Sequence, residues 1–128
     1  MDKTQALYNF WASFGLPALD EQSDLDTEVM DQLGIDFPYL TFESAIGELG
    51  EPTTLGADLY YRSTSWTEIK AKAEEISQAI GPGGTKVAYD GGQIWITRGS
   101  PAYRSMSPEN DFSIRRIHIN INAEFLTA

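Results

Sequence analysis

From Lys3 to Phe14 the apolar side chains Leu7, Phe10, Trp11 and Phe14 recur at i, i+3, i+4 and i+7, the spacing of one helical face. Gly15 and Pro17 end that helix, since one releases the backbone from helical geometry and the other lacks an amide proton. From Ala18 to Asp36 the periodicity disappears. Asp20, Glu21, Asp24, Asp26, Glu28, Asp31 and Asp36 dominate the segment, and it reads as a solvated acidic loop with at most a helical turn. Period-two alternation begins after Pro38, with Leu40 and Phe42 on one face and Tyr39, Thr41 and Glu43 on the other. A second alternating run places Leu55, Ala57, Leu59 and Tyr61 against Gly56, Asp58, Tyr60 and Arg62. The short connection through Gly47 to Pro52 makes these two strands antiparallel neighbours.

Ser65-Trp66-Thr67-Glu68 has the form of a capping box, and a helical stripe of Trp66, Ile69, Ala73, Ile76 and Ile80 follows until Gly81-Pro82. Lys86 to Tyr89, Asp90-Gly91-Gly92 and Gln93 to Thr97 read as strand, tight turn and strand, a β-hairpin. Arg98 to Asn110 has two prolines and no period, and is expected to be a long loop. The longest alternation in the chain closes it: Ile117, Ile119, Ile121, Ala123 and Phe125 against His118, Asn120, Asn122, Glu124 and Leu126. Such a strand belongs in the middle of a sheet. The expected fold is α+β, one domain over residues 1–128: a mainly antiparallel sheet of about five strands, with an N-terminal helix and a second helix packed on one face.

Composition adds a core and a sign. The 128 residues are 41% hydrophobic and 12% aromatic, enough for one packed domain and too few for two. Nineteen acidic against nine basic side chains give a formal charge of −10, which disfavours broad contact with nucleic-acid phosphates or anionic membranes. There is no cysteine, so disulfides and thiolate chemistry are excluded, and no stretch approaches the length of a membrane span. The chain is expected to stay soluble in the cytosol where it is made.

The candidate chemistry is thin. His118 is the single histidine. A serine triad would have to use it, with Ser105 or Ser107, and no nucleophile elbow surrounds either. Asp24 to Glu28 lacks the glycine of a calcium loop. Gly81 to Lys86 follows a helix and enters a strand, the reverse of a phosphate loop. No catalytic, cofactor or metal residues are therefore assigned. Tyr60, Tyr61, Trp66, Trp95 and Tyr103, with Arg62, Arg98 and Arg104 near them in sequence, are the residue types enriched at protein interfaces. Trp95, Arg98, Tyr103, Arg104 and Met106 are the candidate interface residues. Trp95 opposes the apolar phase of its strand, and the others lie in the expected loop.

The ordered segments resemble a known family, the tail-terminator or tail-completion proteins of long-tailed bacteriophages, often described as minor capsid proteins. The resemblance rests on Leu7-Tyr8-Asn9-Phe10-Trp11, Phe37-Pro38-Tyr39-Leu40-Thr41-Phe42, Leu59 to Trp66, Tyr89 to Ile96 and Arg115 to Thr127, taken in that order and spacing. The acidic segment from Asp20 to Asp36 departs from it, being longer and more charged than the family requires. The resemblance implies a virion structural protein and not an enzyme. It implies a ring, typically a homo-hexamer, on the head-proximal end of the tail tube, with the tube protein and a head-completion or neck protein as partners. It implies no cofactor, no membrane and no specific nucleic acid. Carboxylates lining the lumen of such a ring would repel passing DNA; a neutral or basic lumen would refute that. Other readings stay open from sequence: another head–tail connector, a small acid-dependent hydrolase without cofactor, or a monomeric regulatory binding module.

Overall fold

The computed structural model describes residues 2–20, 37–106 and 114–127. Helix α1 spans Lys3–Ala12, followed by strands β1 (Ala18–Asp20), β2 (Tyr39–Phe42) and β3 (Thr53–Arg62), helix α2 (Thr67–Ile80), and strands β4 (Thr85–Tyr89), β5 (Gly92–Met106) and β6 (Ile114–Thr127). The strands form one sheet in the order β1-β2-β3-β6-β5-β4, antiparallel throughout except for the β1–β2 pair. The α+β expectation holds, with six strands rather than about five.

β6 sits in the interior between β3 and β5, as its long alternation requires. Ile117, Ile119, Ile121, Ala123 and Phe125 are buried on one face, and the residues between them are half-buried on the other. Both helices deliver their apolar stripes to that same buried face: Leu7, Phe10 and Trp11 from α1, and Ile69, Ala73, Ile76 and Ile80 from α2. α2 lies against β3, β5 and β6, whereas α1 touches β1 and β4, the two opposite edges of the sheet. One ten-residue helix reaches both edges because the sheet curls. α1 therefore bridges the two edges. Neither helix among the described residues is long and apolar enough to cross a membrane.

Three local expectations are corrected. Ala18–Asp20 is not loop but a strand, parallel to Leu40–Phe42, with Ala18 and Leu19 buried. Three residues are too few to register as a period. The rest of the acidic segment, residues 21–36, lies outside the described residues. The capping box does not form: the α2 N-cap is Trp66, in helical geometry and without a side-chain cap bond, and the Ser65 hydroxyl accepts instead from the Thr67 amide (3.1 Å). The signature marked the helix start correctly and its bonding wrongly.

The largest correction concerns Arg98 to Asn110. β5 continues as strand to Met106, because the length of β6 supplies it with partners to Arg116. Arg98 pairs with Ile121 and Tyr103 with Ile119, so Gly99, Ser100, Pro101 and Ala102 together oppose the single residue Asn120. This wide bulge breaks the alternation and hides the strand from pattern reading. It also accommodates Pro101, which has no amide proton for the ladder. Residues 107–110 lie outside the described residues.

Candidate interaction face

With both helices on one side, the sheet has a second face that no described helix covers. Register assigns its occupants: Thr54, Gly56, Asp58, Tyr60 and Arg62 from β3, opposite Asn122, Asn120, His118, Arg116 and Ile114 of β6. β2 adds Tyr39 beside Tyr60 and Thr41 beside Asp58. β5 adds Trp95 beside Glu124, Thr97 beside Asn122 and, after the bulge, Arg104 beside His118 and Met106 beside Arg116.

The centre of this face is a charged cluster. Arg116 Nε donates to Asp58 Oδ1 (3.0 Å), and His118 Nδ1 lies 2.9 Å from the same oxygen. His118 Nε2 faces Asn120 Oδ1 at 3.1 Å, and the Asn120 amide donates to the Pro101 carbonyl (3.2 Å). β3, β6 and the β5 bulge are thus tied by a single chain of contacts. Asp58 is 8% exposed, so its carboxyl is tolerated there only because Arg116 and His118 both reach it. Gly56 leaves the room this needs: a Cβ there would come within 2.8 Å of His118 Cε1 and 2.9 Å of Glu43 Oε1.

An aromatic layer adjoins the cluster. Tyr39 and Tyr60 stack at 4.9 Å between centroids with 17° between planes. Arg116 lies over Tyr60 at 5.8 Å, and Arg62 lies over Phe37 at 4.6 Å. At the other end, Trp95 is 37% exposed, flanked in register by Lys86 and Glu124, and its indole donates to the Gly83 carbonyl (3.1 Å).

The five candidate residues do not form one patch. Trp95, Arg104 and Met106 share the helix-free face. Trp95 and Arg104 are about 20 Å apart, since their β6 partners Glu124 and His118 are separated by six strand positions. Arg98 and Tyr103 turn to the helix side. Arg98 Nε donates to the Ser77 carbonyl near the end of α2 (2.9 Å), where it complements the helix dipole. The Tyr103 hydroxyl donates to Glu74 Oε2 (2.6 Å). That bond pulls the Glu74 carboxyl below its ordinary range and pushes the Tyr103 phenol above its own. Of the other aromatic residues, Tyr61 is core and Trp66 is half-buried beneath Lys70 and Arg115.

Chemically the cluster is one ion pair, Arg116 with Asp58, joined by imidazole and amide contacts. Ser105, the serine a triad would have used, pairs with Ile117 on the helix side and not with His118; Ser107 lies outside the described residues. Among the described residues no group of three or more His, Cys, Asp or Glu is arranged to hold a metal ion. Two open depressions flank Asp2 at the start of α1. One, of about 380 Å³, is lined by Lys3, Thr4, Tyr89 and Asp90; the other, of about 250 Å³, by Gln5, Tyr8, Asp20 and Phe42. Sequence reasoning missed the Asp58–Arg116–His118 cluster, although the polar phase of two long strands was the signal that held it. What that phase could not supply was the β3–β6 register.

No family model matches the chain, and no curated protein and no solved structure matches it significantly.

Proposed function

We propose that this chain is a non-enzymatic structural subunit of a bacteriophage tail. It assembles as a ring of about six copies, closed by heterologous contacts, on the head-proximal end of the tail tube. There it ends tube polymerisation and offers a surface to head-completion proteins. The observation that carries the proposal is the helix-free sheet face, which holds the exposed Trp95 together with arginines and stacked tyrosines. Aromatic and arginine side chains are the ones that dominate binding energy where two folded proteins meet. The order of segments that resembles the tail-terminator family supports the same reading.

Two measurements test it. Native mass by light scattering over a concentration series, with negative-stain imaging of the same sample, is expected to give closed rings; purified tail tubes polymerised with the chain are expected to be shorter and capped at one end. Tubes of unaltered length and a chain that never binds them would sink the proposal. Trp95→Ala is expected to abolish or strongly weaken assembly while moving the thermal midpoint by only a few degrees, because the indole is partly exposed and makes one hydrogen bond. A loss of stability as large as the loss of assembly would make Trp95 a folding residue instead.

A further inference from the structure

All nine lysines and arginines fall within the described residues, and most serve the fold. Lys72 bonds Glu75 and the Phe14 carbonyl; Arg98 bonds the Ser77 carbonyl; Lys3 lies over Tyr89 and Phe125; Lys70 and Arg115 lie over Trp66. Three others share the helix-free face at one end of the sheet. Arg104 is opposite His118, Arg116 is one row further along β6, and Arg62 is one row beyond that on β3. Rows on one face are about 7 Å apart and strands about 4.8 Å apart, so each arginine has the next within a Debye length. Arg116 holds Asp58, whereas Arg62 and Arg104 are exposed, and among the described residues neither has a carboxylate within ion-pair distance.

The far end of the same strand is net negative, since Glu48, Glu51, Asp90 and Glu124 outnumber Lys3 and Lys86 there. Glu48 and Glu51 are exposed beside Phe125, and Asp90 is exposed in the β4–β5 turn that ends against Thr127. The two groups are about 23 to 43 Å apart along β6, from the His118 and Ile114 rows to those of Phe125 and Thr127. A two-fold contact through the strip would set arginines against arginines. A head-to-tail contact sets them against carboxylates, and on a chain of net charge −10 this is the arrangement that relieves repulsion between copies.

We infer that Arg62 and Arg104, on either side of the Asp58-bound Arg116, form the receiving half of a head-to-tail contact between copies of this chain, and that the end bearing Glu48 and Glu51 is what they receive. The inference rests on the self-assembly reading above and assigns its two surfaces.

Sedimentation velocity over a concentration series tests it, on the full chain, at low and high salt. The wild type is expected to associate at low salt and to dissociate as salt rises. Arg62→Glu/Arg104→Glu and Glu48→Lys/Glu51→Lys are each expected to associate at least about tenfold more weakly, and their equimolar mixture to regain association. Glu48→Lys/Glu51→Lys alters exposed side chains and should keep its thermal midpoint within about 2 °C of wild type, whereas Arg62→Glu/Arg104→Glu also gives up the contact of Arg62 with the Phe37 ring and should fall by no more than about 4 °C. Glu109 and Asp111 belong to the β5–β6 connection outside the described residues. A stability loss in the arginine variant that matches its association loss would mean the strip serves its own chain, and would overturn the inference. Undiminished association of that variant would overturn it too and leave the ring reading standing. A wild type that stays monomeric at low salt would also overturn it, and tube capping then decides the ring reading separately. Capture of a labelled single-stranded oligonucleotide by the strip, in place of self-association, would assign the strip to nucleic acid.

Discussion

Replacing Asp58 by Ala removes the acceptor on which the helix-free face converges. The carboxylate takes a charge-assisted bond from Arg116 Nε at 3.0 Å and contacts His118 Nδ1 at 2.9 Å, and its side chain is 11% exposed. Hydrogen bonds to charged groups contribute about 1.5–3 kcal/mol each. Arg116 and His118 keep 38% and 24% of their side-chain surface in solvent, so water recovers part of that once the partner is gone. Discounting by about half leaves a loss of about 2 kcal/mol. With an unfolding entropy of about 2.1 cal/mol/K per residue over 128 residues, each kcal/mol moves the midpoint by nearly 4 °C, so the expected fall is about 7 °C. Thermal and urea unfolding followed by circular dichroism and tryptophan fluorescence measure it. Asp58→Asn keeps shape and one accepting oxygen and should lose about half as much. Combining Asp58→Ala with Arg116→Ala should give less than the sum of the two losses, by about 1 kcal/mol. A variant within about 0.5 kcal/mol of wild type, with additive doubles, would show that solvent already satisfies these groups and that the cluster does not hold β3 to β6.

Trp11 is fully buried, and among the described residues its indole N–H has no hydrogen-bond partner. Trp11→Phe should therefore lose about 1 kcal/mol or less by urea titration, since removing the unpaired donor offsets lost packing, whereas Trp11→Ala should lose about 3–5 kcal/mol. Tyr103→Phe should flatten both limbs of the stability–pH curve. Glu74, held below its ordinary value by the Tyr103 hydroxyl first and Gln78 second, contributes stability that is present above the unfolded-state value and lost as pH falls through the folded one. Tyr103, raised chiefly by the same bond, contributes stability lost as pH rises through its folded value. Urea midpoints that keep both slopes in the variant would contradict this. A Cβ at Gly99 would stand 2.6 Å from Asn120 Cβ and 2.7 Å from its carbonyl oxygen. Gly99→Ala should lose about 2 kcal/mol, and amide exchange in the variant should quicken around the bulge before it does around Ile94 and Phe125.

The elements whose side chains keep an unbroken period were legible in the sequence: α1 and α2 through their apolar stripes, β3 and β6 through alternation, and the β4–β5 hairpin through Asp90-Gly91. In each, burial of one face is decided locally, because a period of 3.6 or 2 places every apolar residue on the same side whatever the partner. The helix-free exposure of Trp95 follows from the same rule, as does its company with Glu124 once the strands are paired. Where a partner set the conformation, the sequence was silent. Ala18–Asp20 is a strand only because Leu40–Phe42 lies alongside it, and Arg98–Met106 stays in the sheet only because β6 continues past Asn120. The tertiary structure also divided the candidate residues, turning Arg98 and Tyr103 to α2 and Arg104 to the open face, since the bulge resets which residues of β5 face which side. Register, which brings Asp58, Arg116 and His118 together from residues about sixty apart, is a non-local choice that no single segment encodes.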